Sequence, residues 1–193
     1  MRKLLTVMVP LTLTGALAFG TTAVLANDDQ GEDDNVTCTA PTGSGGGDDQ
    51  GGDDRSVRSF RLAHDGDQGT KGDDDIQGDN NDNEIDGNEG NDDLCGEQGD
   101  DDMQGGQGDD QMSGGKGNDV INGQSGNDDE FGDSGNDRLT GGKGHDHLNG
   151  GSGRDRLNSR DGVKDYDNCG PGIDSVKADH EDVVSKNCEH VSR

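Results

Sequence analysis

A nine-residue repeat occupies the middle of the chain and constrains its fold more than any other feature. Glycine stands at every ninth position from Gly69 to Gly150, and each of these glycines opens a nonapeptide, so that ten contiguous units fill residues 69–158. Position four of the unit is Gly in nine units, position six is Asp in nine, and position eight is apolar in nine. A constant period of this kind predicts a solenoid, in which each unit stacks on its neighbours.

The composition excludes an ordinary globular core. Of the 193 residues, 36 are Gly, only 23% are hydrophobic, none is Trp, and the formal net charge is −27. A chain of this kind normally stays disordered unless something compensates its charge. The excess of acidic over basic residues also argues against nucleic-acid binding.

The sequence contains neither an HExxH nor a GxSxG motif, and no segment outside the repeat is large enough for a catalytic domain. We therefore expect no enzymatic activity.

The repeated residues offer the ligands that a hard cation prefers. Glycine at positions one and four permits positive φ and close backbone approach in a tight turn. Carboxylates at position six, together with main-chain carbonyls, form the oxygen set that suits Ca²⁺, whereas Mg²⁺ demands stricter octahedral geometry. Soft metals require Cys or His, and neither residue recurs with the period. The pattern therefore favours calcium.

The nonapeptides resemble the RTX (haemolysin-type) calcium-binding repeat GGxGxDxUx, most clearly in residues 114–122, which read GGKGNDVIN. The resemblance implies an all-β fold, a parallel β-roll in which two nonapeptides make one coil and a short strand turns position eight inward. It also implies Ca²⁺ ions between successive loops on the same side, held by loop carbonyls and by position-six carboxylates. Those carboxylates are Asp74, Asp92, Asp101, Asp110, Asp119, Asp128, Asp137, Asp146 and Asp155.

The same picture predicts how many ions the array holds. Ten loops alternate between two sides, which leaves four gaps on each side and eight nominal sites. The second unit has Asn81 at position four and Asn83 at position six, so one site is weaker there unless Asp82 compensates. We therefore expect about seven or eight Ca²⁺ ions per chain. Because the stacked carboxylates repel one another and apolar side chains are few, folding should require calcium.

One unit breaks the apolar pattern at position eight. Glu130 occupies that position and Phe131 follows it. A carboxylate in an apolar column is costly unless it is protonated or reaches water. We expect a local bulge that places Phe131 inside and Glu130 outside, the alternative being a defect that leaves Glu130 inside.

The segment before the repeat has two parts. Residues 1–26 have a basic start, an uncharged apolar run and a small-residue exit, which predict a signal peptide and secretion, with a membrane anchor as the alternative. We expect no membrane insertion after cleavage. Residues 27–68 form an acidic, Gly-rich linker, in which the apolar residues of 56–63 are a candidate N-terminal cap.

The segment after the repeat, residues 159–193, is predicted to cap the roll. The register slips by one residue after Leu157, and the motif then returns at residues 169–177, where Asp174 offers a further calcium ligand. Four cysteines allow three disulfide pairings or none; we favour Cys169–Cys188, which brackets the tail, and then Cys38–Cys95 by elimination.

The tail is also expected to have a small apolar core, formed by Val176, Val183, Val184 and Val191. This ending resembles that of secreted actinobacterial RTX-like proteins.

Three functional interpretations remain open at this stage. The first is a secreted, extracellular calcium-binding module with a structural or adhesive role. The second is a passive calcium buffer without a protein partner, and the third is the non-catalytic accessory of a secreted enzyme. The outward residues are acidic in the first coils and basic in the last, which suggests an anionic or cell-surface partner or merely a balanced solvated face. The residues of this basic end are Arg138, Lys143, His145, Arg154 and Arg156.

Overall fold

The computed structural model of the protein describes residues 59–62 and 67–193. The predicted signal peptide (1–26) lies outside the described residues, as does most of the predicted linker (27–68). The described residues form strands and loops and no α-helix, so they contain no helix that could cross a membrane.

Two parallel sheets make up almost all of the regular structure. In spatial order the first sheet contains β1 (Ser59–Leu62), β3 (Asp74–Gln77), β5 (Asp93–Cys95), β7 (Gln111–Ser113), β9 (Asp129–Phe131), β12 (His147–Asn149), β15 (Tyr166–Asn168) and β17 (Val183–Val184). The second sheet contains β2 (Asp67–Gln68), β4 (Glu84–Glu89), β6 (Asp102–Gln107), β8 (Val120–Ser125), β11 (Arg138–Lys143), β14 (Arg156–Asn158), β16 (Ser175–Lys177) and β18 (His190–Ser192). Two short strands, β10 (Ser134–Gly135) and β13 (Ser152–Gly153), pair separately.

The chain alternates between the two sheets, and this alternation is the winding of a solenoid. Within the repeat each residue pairs with the residue eighteen positions later, as in Ile85↔Met103 and Met103↔Ile121. Two nonapeptides therefore make one coil. The all-β fold and the parallel β-roll are confirmed.

The core is a pair of single-residue columns between the sheets. Side chains alternate across a strand, so position eight faces inward while positions seven and nine face outward. The apolar side chains at position eight are at most 2% exposed, namely Ile76, Ile85, Leu94, Met103, Met112, Ile121, Leu139, Leu148 and Leu157. Because each coil contributes only two such side chains, apolar burial alone is a modest source of stability.

Glu130 faces inward, and the expected exchange with Phe131 is wrong. Strand β9 pairs in unbroken register with both neighbours, through Met112↔Glu130 and Leu148↔Glu130. Glu130 is fully buried, and its Oε1 accepts the main-chain N–H of Gly123 at 2.8 Å. A bulge would disrupt the pairing of two neighbouring strands, whereas an inward Glu130 keeps the ladder intact.

Glycine has two separate uses in the loops. Positive φ occurs at positions two and four, as in Gly115 (95°) and Gly117 (145°). The sequence predicted it at positions one and four, but none of the described glycines at position one has positive φ. Position two also carries four non-glycine residues in this conformation, namely Asn88, Glu97, Gln124 and Asp133. At position one glycine is needed for close approach, because a Cβ on Gly132 would lie 2.6 Å from the carbonyl oxygen of Gly150.

The two sheets continue beyond residue 158. One extra residue in the loop of residues 160–164 lengthens one coil, so that Leu148 pairs with Asp167, nineteen positions later. Strands β15 to β18 then extend both sheets to Ser192.

The C-terminal segment is closed by a disulfide. Cys169 and Cys188 are bonded, with their Cα atoms 5.2 Å apart, which confirms the predicted pair. Cys95 is also disulfide-bonded; Cys38 lies outside the described residues, so the Cys38–Cys95 pairing stays a prediction.

The apolar core of the C-terminal segment contains fewer valines than predicted. Val176 is buried and Val184 packs against the core, whereas Val183 and Val191 are 46% and 44% exposed.

Candidate metal centre

Carboxylates at position six stack into two columns that run along the loops. In each column the main-chain N–H of one residue donates to a side-chain oxygen of the residue one coil later. The Asp119 N–H, for example, lies 2.9 Å from Asp137 Oδ1. The first carboxylate column contains Asp74, Asp92, Asp110, Asp128, Asp146, Asp165 and Asp182. The second contains Asn83, Asp101, Asp119, Asp137, Asp155, Asp174 and Glu189.

The other oxygen of most of these carboxylates is buried and has no hydrogen-bond partner. These Oδ2 atoms belong to Asp92, Asp101, Asp110, Asp119, Asp128, Asp137, Asp146, Asp155, Asp165 and Asp174. Buried polar atoms are normally paired, so a row of unpaired carboxylate oxygens indicates a missing electrostatic partner. A carboxylate oxygen and a main-chain carbonyl oxygen approach the same glycine: a Cβ on Gly150 would be 2.8 Å from both Asp155 Oδ2 and the Cys169 carbonyl oxygen.

Burial and mutual repulsion raise the pKa values of these carboxyl groups. Burial is the main cause and raises the pKa of Asp92, Asp119 and Asp128 to about 7 and that of Asp137 to about 8. The neighbouring carboxylates of the same column add to the shift, while the hydrogen bond from the preceding main-chain N–H opposes it. Ionising every carboxyl group of a column at neutral pH is therefore unfavourable for the protein without a bound cation.

The second unit departs from the pattern as its sequence suggests. Asn83 takes the place of the carboxylate, and its Oδ1 accepts the main-chain N–H of Asp79 at 3.0 Å. Asp82, which was considered as a substitute, lies outside the columns and is exposed. Its Oδ1 accepts the Asp100 N–H at 2.8 Å. An amide without charge therefore occupies this level of the second column.

A second set of side chains, at position five, escaped the sequence analysis. Each of these Asp or Asn residues accepts, through Oδ1, the main-chain N–H of position five one coil later. We call this set the outer ladder. Its acceptors are Asp73, Asp82, Asn91, Asp100, Asp109, Asn118, Asn127 and Asn136. The signal was present in the sequence, because position five is Asp or Asn in the first eight units.

The first column continues beyond the repeat through two carboxylates that the nine-residue pattern does not predict. Asp165 Oδ1 accepts the Asp146 N–H at 2.9 Å, and Asp182 Oδ1 accepts the Asp165 N–H at 3.2 Å. Asp174, which was predicted, occupies the corresponding level of the second column, where its Oδ1 accepts the Asp155 N–H at 2.8 Å. The extra residue in the loop of residues 160–164 displaces Asp165 from a strict nine-residue period.

A buried polar cluster lies next to this continuation. Asp167 occupies an inward position in β15 and is 1% exposed. Ser159 Oγ donates to Asp167 Oδ2 at 2.9 Å and lies 3.3 Å from Asp182 Oδ2. Burial raises the pKa of Asp167 to about 6, and the Ser159 hydroxyl opposes that shift. The apolar interior is thus interrupted by polar side chains at this level, and buried apolar residues such as Val176 and Ala178 continue it beyond.

The donor set fits calcium better than other metals. Among the described residues, no three side chains of His, Cys, Asp and Glu come together as a metal-binding group. The loops instead bring carboxylate oxygens of neighbouring coils close to main-chain carbonyls. Ca²⁺ accepts such mixed oxygen ligands in flexible geometry, whereas Zn²⁺ requires a tetrahedral group of His, Cys or carboxylate ligands.

Comparison with known proteins agrees with this geometry. The RTX calcium-binding nonapeptide repeat, described as four copies, matches residues 68–103, 96–129 and 131–163. No curated protein and no solved structure matches the chain, so the resemblance of its tail to actinobacterial proteins stays a prediction. The chain therefore belongs to the family of proteins with RTX calcium-binding nonapeptide repeats.

Proposed function

We propose that this protein is a secreted calcium-binding module that folds on binding Ca²⁺ and then serves a structural or adhesive role. The observation that carries the proposal is the pair of columns whose buried Oδ2 atoms have no partner among the described residues. Bound Ca²⁺ would supply the positive charge that these carboxylates lack.

Ligands are proposed from both columns. The strongest are the carboxylates with a buried, unpaired Oδ2, from Asp92 to Asp174. Asp74 differs, because its Oδ2 accepts the main-chain N–H of Thr70 at 2.5 Å, and Asn83 brings no charge. Asp82 faces solvent and is a weaker candidate. We keep the expectation of about seven or eight ions, and the column level of Asp165 is a further candidate position.

Metal-linked folding is tested by circular dichroism of residues 27–193 during a calcium titration, with Mg²⁺ as the control cation. We expect a cooperative gain of β signal with Ca²⁺ alone. Calorimetry on the same sample gives the stoichiometry, and fewer than four ions would contradict the assignment of the columns. A spectrum that stays disordered at several millimolar Ca²⁺ would contradict calcium-driven folding itself.

Secretion is supported by the sequence of residues 1–26 and by disulfide bonds at Cys95 and at Cys169–Cys188. Disulfides form and persist in oxidising compartments, where millimolar calcium is also available. The N-terminal sequence of the protein recovered from culture medium tests this part. A mature N-terminus at Asn27 is expected, whereas an uncleaved protein retained in the membrane fraction would favour the anchor.

A structural role differs from passive buffering in one measurable respect. A buffer needs only the columns, whereas a structural or adhesive module needs its outward faces. Binding of the calcium-loaded protein to whole cells or wall material should therefore weaken when outward charges of the basic end are reversed at Lys143 and Arg154, which are exposed. Calcium stoichiometry should stay unchanged in that variant, because both residues lie outside the columns. No binding to any surface would favour the buffer.

A further inference from the structure

The outer face of the second sheet carries a graded column of charge along the roll. Position seven of five consecutive strands lies in direct register on this face, and all five side chains are exposed. We call it the graded column, and in order it contains Glu84, Asp102, Val120, Arg138 and Arg156. Two acidic residues thus occupy one end, two basic residues the other, and Val120 the middle.

The four charges of the graded column have no ion-pair partner within the described part of the chain. The ion pairs found there join Lys71 to Glu89, His147 to Asp129, and Arg160 to Asp179. Arg138 and Arg156 lie on neighbouring strands, about 4.8 Å apart, so they repel each other. Two adjacent arginines without an acidic residue opposite them on a neighbouring strand are unusual on a chain whose net charge is −27.

We propose that the graded column binds a second copy of this chain, face to face and with the two rolls antiparallel. A rotation of 180° about an axis that lies in the face and runs along β8 preserves the strand direction. It also turns the face over and reverses the order of the strands. Asp102 then meets Arg138 of the other copy, Glu84 meets its Arg156, and Val120 meets Val120 on the axis.

The neighbouring column on the same face tolerates this arrangement. Position nine carries the polar side chains Asp86, Gln104, Asn122, Thr140 and Asn158. Under the same rotation Asn122 meets itself and Gln104 meets Thr140, which are pairs that can exchange hydrogen bonds. Val120, 37% exposed at the centre, supplies an apolar contact in place of a buried charge.

The first sheet lacks this symmetry and serves as an internal comparison. Its position-seven column reads Asp75, Asp93, Gln111, Asp129 and His147. The same rotation would place Asp93 against Asp129 of the other copy, so that two carboxylates repel. The described face that fits a second copy is therefore that of the second sheet.

The size of the face predicts a weak complex. Five strands span about 20 Å at 4.8 Å each, and these strands are three to six residues long, which is about 10 to 20 Å. This area is well below the roughly 800 Å² per partner of a stable interface. Association should therefore be concentration-dependent, and because its pairs are exposed charges it should weaken as salt screens them.

Two charge-reversal variants of the full chain test the proposal in saturating calcium. E84R/D102R makes the column basic, and R138E/R156E makes it acidic. By sedimentation velocity at about 20 mM salt, the wild-type protein should form dimers that dissociate at about 0.5 M salt. Each variant alone should be monomeric, and an equimolar mixture of the two should recover the dimer. Circular dichroism confirms that each variant folds with calcium, which separates this test from that of calcium-driven folding.

Single substitutions at one level of the roll provide a matched control. Val120→Arg places like charges against each other on the two-fold axis and should abolish the dimer. Gln111→Arg adds the same charge on the first sheet and should leave the dimer intact. A monomeric wild-type protein at low salt, growth beyond the dimer, or a mixture that does not associate would overturn the proposal. So would unchanged association of R138E/R156E accompanied by loss of its retention on a polyanion, which would assign the arginines to an anionic partner.

Discussion

Asp137 uses its two carboxylate oxygens differently: Oδ1 accepts the main-chain N–H of Asp119 at 2.9 Å, and Oδ2 is buried without a partner. The first contact fixes the spacing of two coils, and the second concentrates negative charge between them. The same side chain thus contributes to the ladder between coils and to the negative charge that opposes their stacking. We therefore expect folding to depend on calcium, as proposed above.

Replacing Asp137 with Asn should separate the two uses. The amide oxygen can still accept the Asp119 N–H, but the negative charge is lost. We expect the number of bound calcium ions to fall by at least one and the calcium midpoint of folding to rise severalfold, since affinity depends on ligand charge. Calorimetry and circular dichroism measure the two effects.

The control for this variant is Asp100→Asn in the outer ladder. Asp100 Oδ1 accepts the main-chain N–H of Asn118 at 2.7 Å and is exposed, so an amide should replace it at little cost. Stoichiometry should stay at the wild-type value. An equal loss of ions in both variants would show that the two ladders do not differ in function.

Calcium binding should release protons near neutral pH. Burial raises the pKa of Asp92 and Asp128 to about 7 and that of Asp137 to about 8, from an ordinary value of 3.8. The metal-free roll therefore binds more protons than the unfolded chain between about pH 4 and pH 8. Its stability rises as pH falls through that window and is lost as pH rises.

Two measurements check this pH dependence. In a chelator, the β signal should increase as the pH is lowered from 8 to 5. With calcium, affinity should decrease over the same range, and calorimetry in buffers of different ionisation enthalpy should detect proton release at pH 7. Affinity that is independent of pH would mean that the carboxylates are already ionised in the metal-free roll.

Glu130→Gln should stabilise the roll. Burial raises the pKa of Glu130 well above its ordinary value, so folding at neutral pH must either protonate this group or bury a charge. Gln keeps an acceptor for the Gly123 N–H and does not ionise. We expect a gain of roughly 1–3 kcal/mol in the free energy of unfolding at pH 7, decreasing toward pH 4.

Thermal unfolding in saturating calcium at several pH values measures this gain. Asn158→Ser, an outward change in strand β14 of the second sheet, controls for the general effect of substitution in a strand. A Glu130→Gln protein that is less stable at every pH would show that the charge of Glu130 takes part in cation binding.

Gln124→Gly should also stabilise the protein, but through the backbone. Gln124 has φ of 72°, whereas the equivalent position in the neighbouring coils is Gly106 (115°) or Gly142 (108°). Non-glycine residues in this region cost about 1 kcal/mol, which the greater freedom of glycine in the unfolded chain partly offsets. We expect a net gain of about 0.5 kcal/mol in denaturant unfolding with calcium.

The matched control is Gln111→Gly, in the middle of strand β7, where φ is not positive. Glycine in a strand is unfavourable, so this variant should lose stability. Equal effects of the two substitutions would contradict the backbone explanation.

Most of the fold could be predicted because the nine-residue period is unbroken over residues 69–158. The inward positions of Ile85, Met103 and Ile121 follow from position eight, and the position-six aspartates indicate where the columns lie. Asp165 could not be placed in the same way, since the extra residue in the loop of residues 160–164 displaces it by one position. A search that allows one inserted residue per coil would have found it.

Glu130 shows where local chemistry misleads. The cost of a buried carboxylate argues for a bulge, but the pairing of β9 with Met112 on one side and Leu148 on the other fixes the register. The positive φ at position two could not be predicted either, because Asn, Asp, Gln and Glu occupy this position as well as Gly. Both features depend on the stacked neighbours, which the nonapeptide alone does not specify.

Removing the Cys169–Cys188 disulfide should loosen the C-terminal coils and leave the middle of the roll intact. The two cysteines are 19 residues apart, so closing this loop stabilises the folded state by about 3 kcal/mol in the chain-entropy estimate. In a C169S/C188S variant with calcium, hydrogen exchange should accelerate in β15 to β18 and change little in β6 and β8, because solenoid units are coupled mainly to their neighbours. Substituting both cysteines, as opposed to adding a reductant, leaves the Cys95 disulfide in place. Exchange that accelerates equally along the whole roll would mean that the disulfide stabilises the array as one cooperative unit.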